Sequence, residues 1–342
     1  MSYDANKHLT NFHDDKVFVA DDKLTTARNR REANRTRLKK GLEADKEPMP
    51  TEFVPQGSYA MSTMVQSEVE TSDIDDGAVF DREALKGARG GDRSANHAKE
   101  MVRKAIAAKD EFKTPPEVRG NCVRVYYNDG FHVDIPVYRT YTENGVTKKE
   151  LASTGEWKVS APEDITNWFN DQVVAKSSDT LNARQMRRVV RLLKYWSKSR
   201  SSWTMPSGFV LTVLTDEAYR HGGWADRDDS ALLSVMRSIR DRLTWNERVR
   251  RPVEPREEIT SDRTLGRVRK LREELEGAIN ELSKIERADC DELMALKALK
   301  AVFNTDYWDG RIKELENGGG GGPGKAGPAQ PVDKRGGSGQ YA

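Results

Sequence analysis

Apolar residues recur along this chain with two different periods, and the change between them divides it. Val123-Arg124-Val125-Tyr126-Tyr127, the turn Asn128-Asp129-Gly130 and the run Phe131 to Tyr138 alternate apolar and polar positions around a tight turn. That pattern predicts a β-hairpin. On its second strand His132, Asp134 and Pro136 share one face, and Val133, Ile135 and Val137 the other. Alternation therefore presents Asp134 opposite the apolar face. From Asp164 onward the period becomes helical. Leu181 to Ser199 sets Met186, Val189, Val190, Leu193 and Trp196 on one side and Arg184, Arg187, Arg191, Lys194 and Lys198 on the other.

Further helices are predicted over Phe209 to Tyr219, Ala231 to Leu243, Leu265 to Ile285 and Asp291 to Phe303. Upstream, Ser94 to Phe112 reads as an amphipathic helix and Thr25 to Lys46 as a charged helix lying on the surface. Residues 1–20 read as short and polar. Strands come early and helices late, so the expected fold is α+β: a bilobal protein with a mixed-sheet lobe packed on a helical lobe and a cleft between them. The expected divisions are residues 1–160 for the first lobe and its N-terminal helix, 161–316 for the helical lobe and 317–342 for a tail. Gly318 to Gly322 is a glycine run with little apolar matter after it, so the tail is expected to be disordered.

Composition narrows the function. With 36% hydrophobic and 33% charged residues in 342, no stretch is apolar enough to span a bilayer. Met1-Ser2-Tyr3-Asp4 opens with no apolar run, and the only cysteines are Cys122 and Cys290. No secretory signal, disulfide framework or zinc ribbon is expected, and a cytoplasmic location is. A net charge of +2 argues against strong DNA or RNA binding, which draws most of its affinity from a larger basic excess.

Three carboxylates and a Gly-Ser turn carry the chemistry. Phe53-Val54-Pro55 leads into Gly57-Ser58, followed by Asp73-Ile74-Asp75 and, much later, Asp134. Asp73 and Asp75 are two apart and project to one side of a strand. Three converging carboxylates repel unless a cation sits between them, and hard oxygen ligands suit Mg²⁺, with Mn²⁺ able to substitute. Two such ions can hold a nucleoside triphosphate and stabilise the attacking and leaving oxygens. Asp134 then binds the metal that activates the acceptor hydroxyl, or takes its proton. Gly57 permits close backbone approach to phosphate, and Ser58 offers a hydroxyl and an N–H. Asp73-Ile74-Asp75-Asp76-Gly77 alone would also suit a solvated turn, and only the flanking Gly-Ser and Asp134 make it specific. Asp76 is read as a neighbour, not a ligand.

Lys194 can reach the triphosphate as a point charge, while most of its neighbouring arginines read as a solvated helix face. Ser207, in a small-residue turn opening a helix, is a further phosphate candidate. The chain has no P-loop and no His-Glu-x-x-His, and its cysteines lack a partner pattern for nucleophilic catalysis. His132 reads as a strand-face residue near the pocket.

The motifs Val54-Pro55-Gln56-Gly57-Ser58-Tyr59 with Thr63, Asp73-Ile74-Asp75-Asp76-Gly77 and His132-Val133-Asp134-Ile135-Pro136-Val137-Tyr138 resemble the nucleotidyltransferase signature. With Glu156-Trp157 to Trp168-Phe169, Arg191 to Trp196 and Pro206-Ser207-Gly208-Phe209, the chain resembles the bacterial CD-NTases. These are relatives of animal cyclic GMP-AMP synthase and oligoadenylate synthase. The resemblance covers roughly residues 50–245. It implies Mg²⁺ dependence and a product cyclised from two or three nucleotides. It also implies metal-binding roles for Asp73, Asp75 and Asp134, and triphosphate contacts for Gly57, Ser58 and Lys194; Gln56, beside the turn, is a further nucleotide-binding candidate.

In such families the product is a second messenger that activates a separate effector in the antiphage arrangement called CBASS. The Cys/His insertion of the animal DNA sensor is missing from this sequence, so DNA-triggered activation is not expected. Some CBASS systems include ubiquitin-like transfer enzymes that conjugate the synthase's C-terminus, which here would be Ala342. The other readings of the residues are a linear nucleotide polymerase, a nucleotidylating toxin and a catalytically idle interaction protein.

Overall fold

The structure, a computed structural model, describes residues 3–66, 73–87, 90–108, 112–177, 179–180, 184–220 and 227–318. Ala342 and the rest of the expected tail beyond Gly318 lie outside them. The chain is α+β. Its strands are β1 Glu52–Gln56, β2 Asp73–Asp81, β3 Glu117–Val118, β4 Val123–Tyr126, β5 His132–Ile135, β6 Val137–Glu143, β7 Val146–Ala152 and β8 Trp157–Val159. They form one mixed sheet in the order β3-β4-β5-β2-β6-β7-β8, with β1 antiparallel to β2.

Helices α1 (Asn6–Phe12), α2 (Asp21–Ala44), α3 (Gly57–Ala60) and α4 (Ala95–Ala107) precede or interrupt the strands. Seven more follow: α5 (Pro162–Lys176), α6 (Gln185–Ser197), α7 (Gly208–Ala218), α8 (Asp228–Trp245), α9 (Asp262–Leu282), α10 (Glu292–Phe303) and α11 (Asp309–Glu316). No described helix is long and apolar enough to cross a membrane.

The predicted hairpin forms, with Gly130 at φ +82° in its turn. Its second strand does not run unbroken to Tyr138, because Pro136 interrupts it. Proline has no N–H for the ladder, but its carbonyl accepts from Ala78 N at 2.8 Å. The break hands β2 from one neighbour to the next: β5 pairs with Asp73–Asp75, and β6 with Ala78–Asp81. The polar first half of β2 thereby stays at the cleft while its apolar second half enters the core.

One face of the sheet is closed by α4 and α2. Ser94 caps α4, its side chain accepting from His97 N, and Met101, Val102, Ala105 and Ile106 are buried as predicted. The charged helix α2 has little apolar surface, so close approach replaces it. A β-carbon on Gly41 would lie 2.0 Å from the Ala105 carbonyl oxygen, so the two helices touch backbone to backbone.

The helical lobe has its own apolar cluster, and here two expectations fail. Residues 1–20 are not merely polar, because Leu9, Phe12 and Val17 are fully buried in that cluster. Phe12 packs at ring-centroid distances of 4.9 Å from Phe303 and 4.7 Å from Trp308. Apolar residues scattered among charges gave no periodic signal. The arginines of α6 are not a solvated face either, since Arg188 and Arg191 are buried. Arg188 is ion-paired with Asp179 and Asp228.

Candidate active site

Asp73, Asp75 and Asp134 line one cleft of about 690 Å³ between the lobes, together with Gln56, Gly57, Ser58, Lys194 and Ser207. That volume falls within the range of ordinary small-molecule sites. Parallel pairing of β2 with β5 sets Asp75 directly beside Asp134, and Asp73 beside His132. Residues in register on neighbouring strands share a face, so the Asp73–Asp75 pair meets Asp134, some sixty residues later in the sequence, on two adjacent strands. Asp76, one residue out of phase, points elsewhere. It is buried and takes a bidentate hydrogen bond from Arg35 on α2, Nε to Oδ2 and Nη2 to Oδ1, both at 2.6 Å.

Burial pushes the Asp75 carboxyl up to about 8, and the negative charges of Asp73 and Asp134 add to the shift. Asp73 is exposed, and neither Asp73 nor Asp75 makes an ion pair with a described residue. Asp134 differs. Arg124, opposite it on β4, donates Nε to Oδ1 and Nη2 to Oδ2, both at 2.7 Å. His132 sits edge-on to Tyr126, and burial lowers its pKa. Cys122 is buried in the cleft wall, and burial with the nearby Asp134 charge raises its thiol well above the usual range. An inert thiol is the result.

β1 delivers the Gly-Ser turn onto this acidic end. Gln56 pairs with Asp75 across the antiparallel ladder, and its side-chain oxygen accepts from Tyr138 Oη at 2.9 Å. Gly57 then turns the chain at φ +66° into α3. Ser58 O accepts from Thr63 N at 2.8 Å, closing the turn that follows.

From the other lobe, the basic side of α6 grips that turn. Arg187 Nε donates to Met61 O at 3.0 Å, Arg191 Nη2 to Ser62 O at 2.6 Å and Lys194 Nζ to Thr63 Oγ1 at 2.8 Å. Positions 187, 191 and 194 share a helix face, so three cations meet three successive residues. Lys194 is buried, and desolvation aided by Lys198 and Arg191 lowers its pKa to about 7. Ser207 is exposed at the head of α7, where its side chain caps Val210 N.

Burial first, and then the charges of Asp73 and Asp134, raise Asp75; a cation would relieve that mutual repulsion, and carboxylate oxygens suit Mg²⁺ or Mn²⁺. Yet no three His, Cys, Asp or Glu side chains among the described residues are gathered into a ready metal cage. The donor set fits with one exchange, because both oxygens of Asp134 are held by Arg124.

All eight expected cleft residues thus line one cavity, while Ala342 lies outside the described residues. Sequence reasoning passed over Arg124, although the hairpin register places it opposite Asp134. It also passed over the gripping role of Arg187 and Arg191, whose carbonyl partners lie more than a hundred residues away and leave no sequence signal.

Residues 51–138, which hold the Gly-Ser turn and all three aspartates, match the family described as cyclic GMP-AMP synthase DncV-like, nucleotidyltransferase domain. Among solved structures, the fold is similar to a Vibrio cholerae di-nucleotide cyclase (DncV) variant in complex with ATP, GTP and 5MTHFGLU2. That match has a TM-score of 0.70 and 16% identity, covering 92% of this chain and 98% of that one. The V. cholerae DncV cyclic AMP-GMP synthase with linear intermediate pppA(3′,5′)pG matches at TM-score 0.70 and 17% identity, covering 89% and 96%. The 3′-deoxy GTP-bound form of Escherichia coli DncV matches at 0.68 and 16%, covering 89% and 97%. Residues 51–138 match the DncV-like nucleotidyltransferase domain, and the fold of the chain is similar to that of the solved DncV structures.

Proposed function

We propose that this nucleotidyltransferase makes a cyclic di- or trinucleotide from NTPs. The observation that carries the reading is the meeting of Asp73, Asp75 and Asp134 with Gly57, Ser58 and Lys194 in one cleft. Gly57 and Ser58 would cradle the donor triphosphate by backbone N–H groups and a hydroxyl, and Lys194 would neutralise its charge. Ser207 and Gln56 border the same space. Asp73, Asp75 and Asp134 would hold two Mg²⁺ ions, which supply charge neutralisation at the reacting phosphate and a more acidic acceptor hydroxyl. A ribose 2′- or 3′-hydroxyl attacks the donor α-phosphorus, the bond to the β-phosphate oxygen breaks, and pyrophosphate leaves. The linear product then re-enters the cleft, and its own hydroxyl displaces the second pyrophosphate.

ATP and GTP are the first substrates to try, since DncV structures hold both. The product would act on a separate effector in antiphage defence in the cytoplasm, and the C-terminal tail ending at Ala342 would be open to a ubiquitin-like transfer enzyme. Incubation with Mg²⁺ and four labelled NTPs, followed by phosphatase and nuclease mapping, tests the central claim. A phosphatase-resistant ring is expected. A phosphatase-sensitive ladder would instead identify a linear polymerase, labelled RNA or protein a toxin, and no turnover an idle interaction protein.

A further inference from the structure

Of the three cleft aspartates, one is already engaged. Asp134 has both carboxylate oxygens in the planar fork of Arg124, with two hydrogen bonds of 2.7 Å. Bidentate charge-assisted pairs of this kind are the strong ones, and this one is sheltered: Asp134 is 6% exposed. The pair is built into the sheet, because Arg124 and Asp134 are direct cross-strand partners on β4 and β5. Asp73 and Asp75 have no such partner among the described residues. The trio therefore stands as two open carboxylates and one occupied.

We propose that Arg124 is a positioning residue that competes with a divalent cation for Asp134, keeping the third ligand out of reach until the cation arrives with its nucleotide. The inference rests on the reading of the three aspartates as metal ligands. A cation alone must open the guanidinium fork to use Asp134. A cation carried by a triphosphate brings extra attraction from Lys194 and the Gly-Ser turn, and that attraction offsets the lost pair. Arg124 thus ties metal occupancy to substrate occupancy. A purely structural Arg124 would behave in the opposite sense, since removing it would loosen the β4–β5 edge and weaken metal binding.

The test is equilibrium Mn²⁺ binding to the nucleotide-free full chain, read from the electron paramagnetic resonance of free Mn²⁺. Arg124→Gln removes the charge and the fork, and is expected to bind Mn²⁺ roughly tenfold tighter than the unmodified protein, about 1.4 kcal/mol. Adding Asp134→Asn to Arg124→Gln should erase that gain. Arg124→Lys keeps the charge without the fork and should fall between. Equal or weaker binding by a folded Arg124→Gln, judged by far-ultraviolet circular dichroism, overturns the proposal. If Arg124→Gln does not fold, Arg124→Lys decides: tighter binding upholds the idea, and unchanged or weaker binding ends it. Mn²⁺ binding that ignores Asp73→Asn and Asp75→Asn would instead overturn the metal-ligand reading itself, whatever Arg124 does.

Discussion

A β-carbon on Gly57 would lie 2.2 Å from Oδ2 of Asp75, so the Gly-Ser turn rests directly on a carboxylate of the acidic trio. The same glycine holds φ at +66°, a conformation that side chains resist. Gly57→Ala should therefore shift the turn or the carboxylate. We expect kcat/KM to fall by about a hundredfold, the scale of an ångström's misplacement at a reacting centre. Steady-state kinetics against matched thermal melts checks this, and activity within threefold of the unmodified chain would show that the turn tolerates a methyl group.

Asp73→Ala combined with Asp75→Ala should abolish pyrophosphate release from NTPs while leaving the circular dichroism spectrum intact. Both side chains face the cleft, and neither is ion-paired with a described residue, so the fold does not rest on them. Undiminished release would remove these acids from the chemistry.

The raised pKa of Asp75 also makes a stability claim. Its folded-state value of about 8 exceeds the ordinary 3.8, so the folded form binds more protons than the unfolded chain between those values. The stabilisation is fully present below about pH 4 and is lost as pH rises through 8. In metal-free protein, Asp75→Asn should consequently be more stable than the unmodified chain at pH 8, by about 1 to 2 kcal/mol, with the gap closing toward pH 4. Denaturant titrations at both pH values decide it.

Lys194 titrates in the opposite sense. Its folded value of about 7 lies below 10.5, so between those values the unfolded chain binds the extra proton. Nucleotide-free stability should then rise with pH across that window, while triphosphate binding, which needs the ammonium, weakens. NTP affinity is expected to fall roughly tenfold from pH 7 to 9. Lys194→Met should bind NTP weakly and without that slope. A slope retained in Lys194→Met would assign it to another group.

Phe12→Ala should cost about 3 to 5 kcal/mol, the usual penalty for emptying a buried aromatic site. Phe12 is fully buried against Phe303 and Trp308, so the loss should appear as cooperative destabilisation in urea. A loss below 1 kcal/mol would mean that the N-terminal segment is dispensable.

Much of this architecture was legible because periodicity survives in the sequence. The hairpin and α6 to α10 follow their apolar repeats, and Asp73 and Asp75 share a face by simple alternation, while the β2–β5 register brings Asp134 beside them. What escaped was non-local. Arg191 looks like any exposed helical arginine until Ser62, 129 residues earlier, supplies its carbonyl. Phe12 looks like a stray apolar residue until Phe303 of α10 packs against it. Arg124 was within reach, because a three-residue turn at 128–130 fixes which residues face each other across the strands.

The grip of α6 on residues 61–63 has a mechanical meaning. Three consecutive anchor points at the floor of the cleft act as a rivet line, so the two halves keep a constant separation there. Breathing that keeps those three bonds pivots on that seam and opens the cleft at its outer rim.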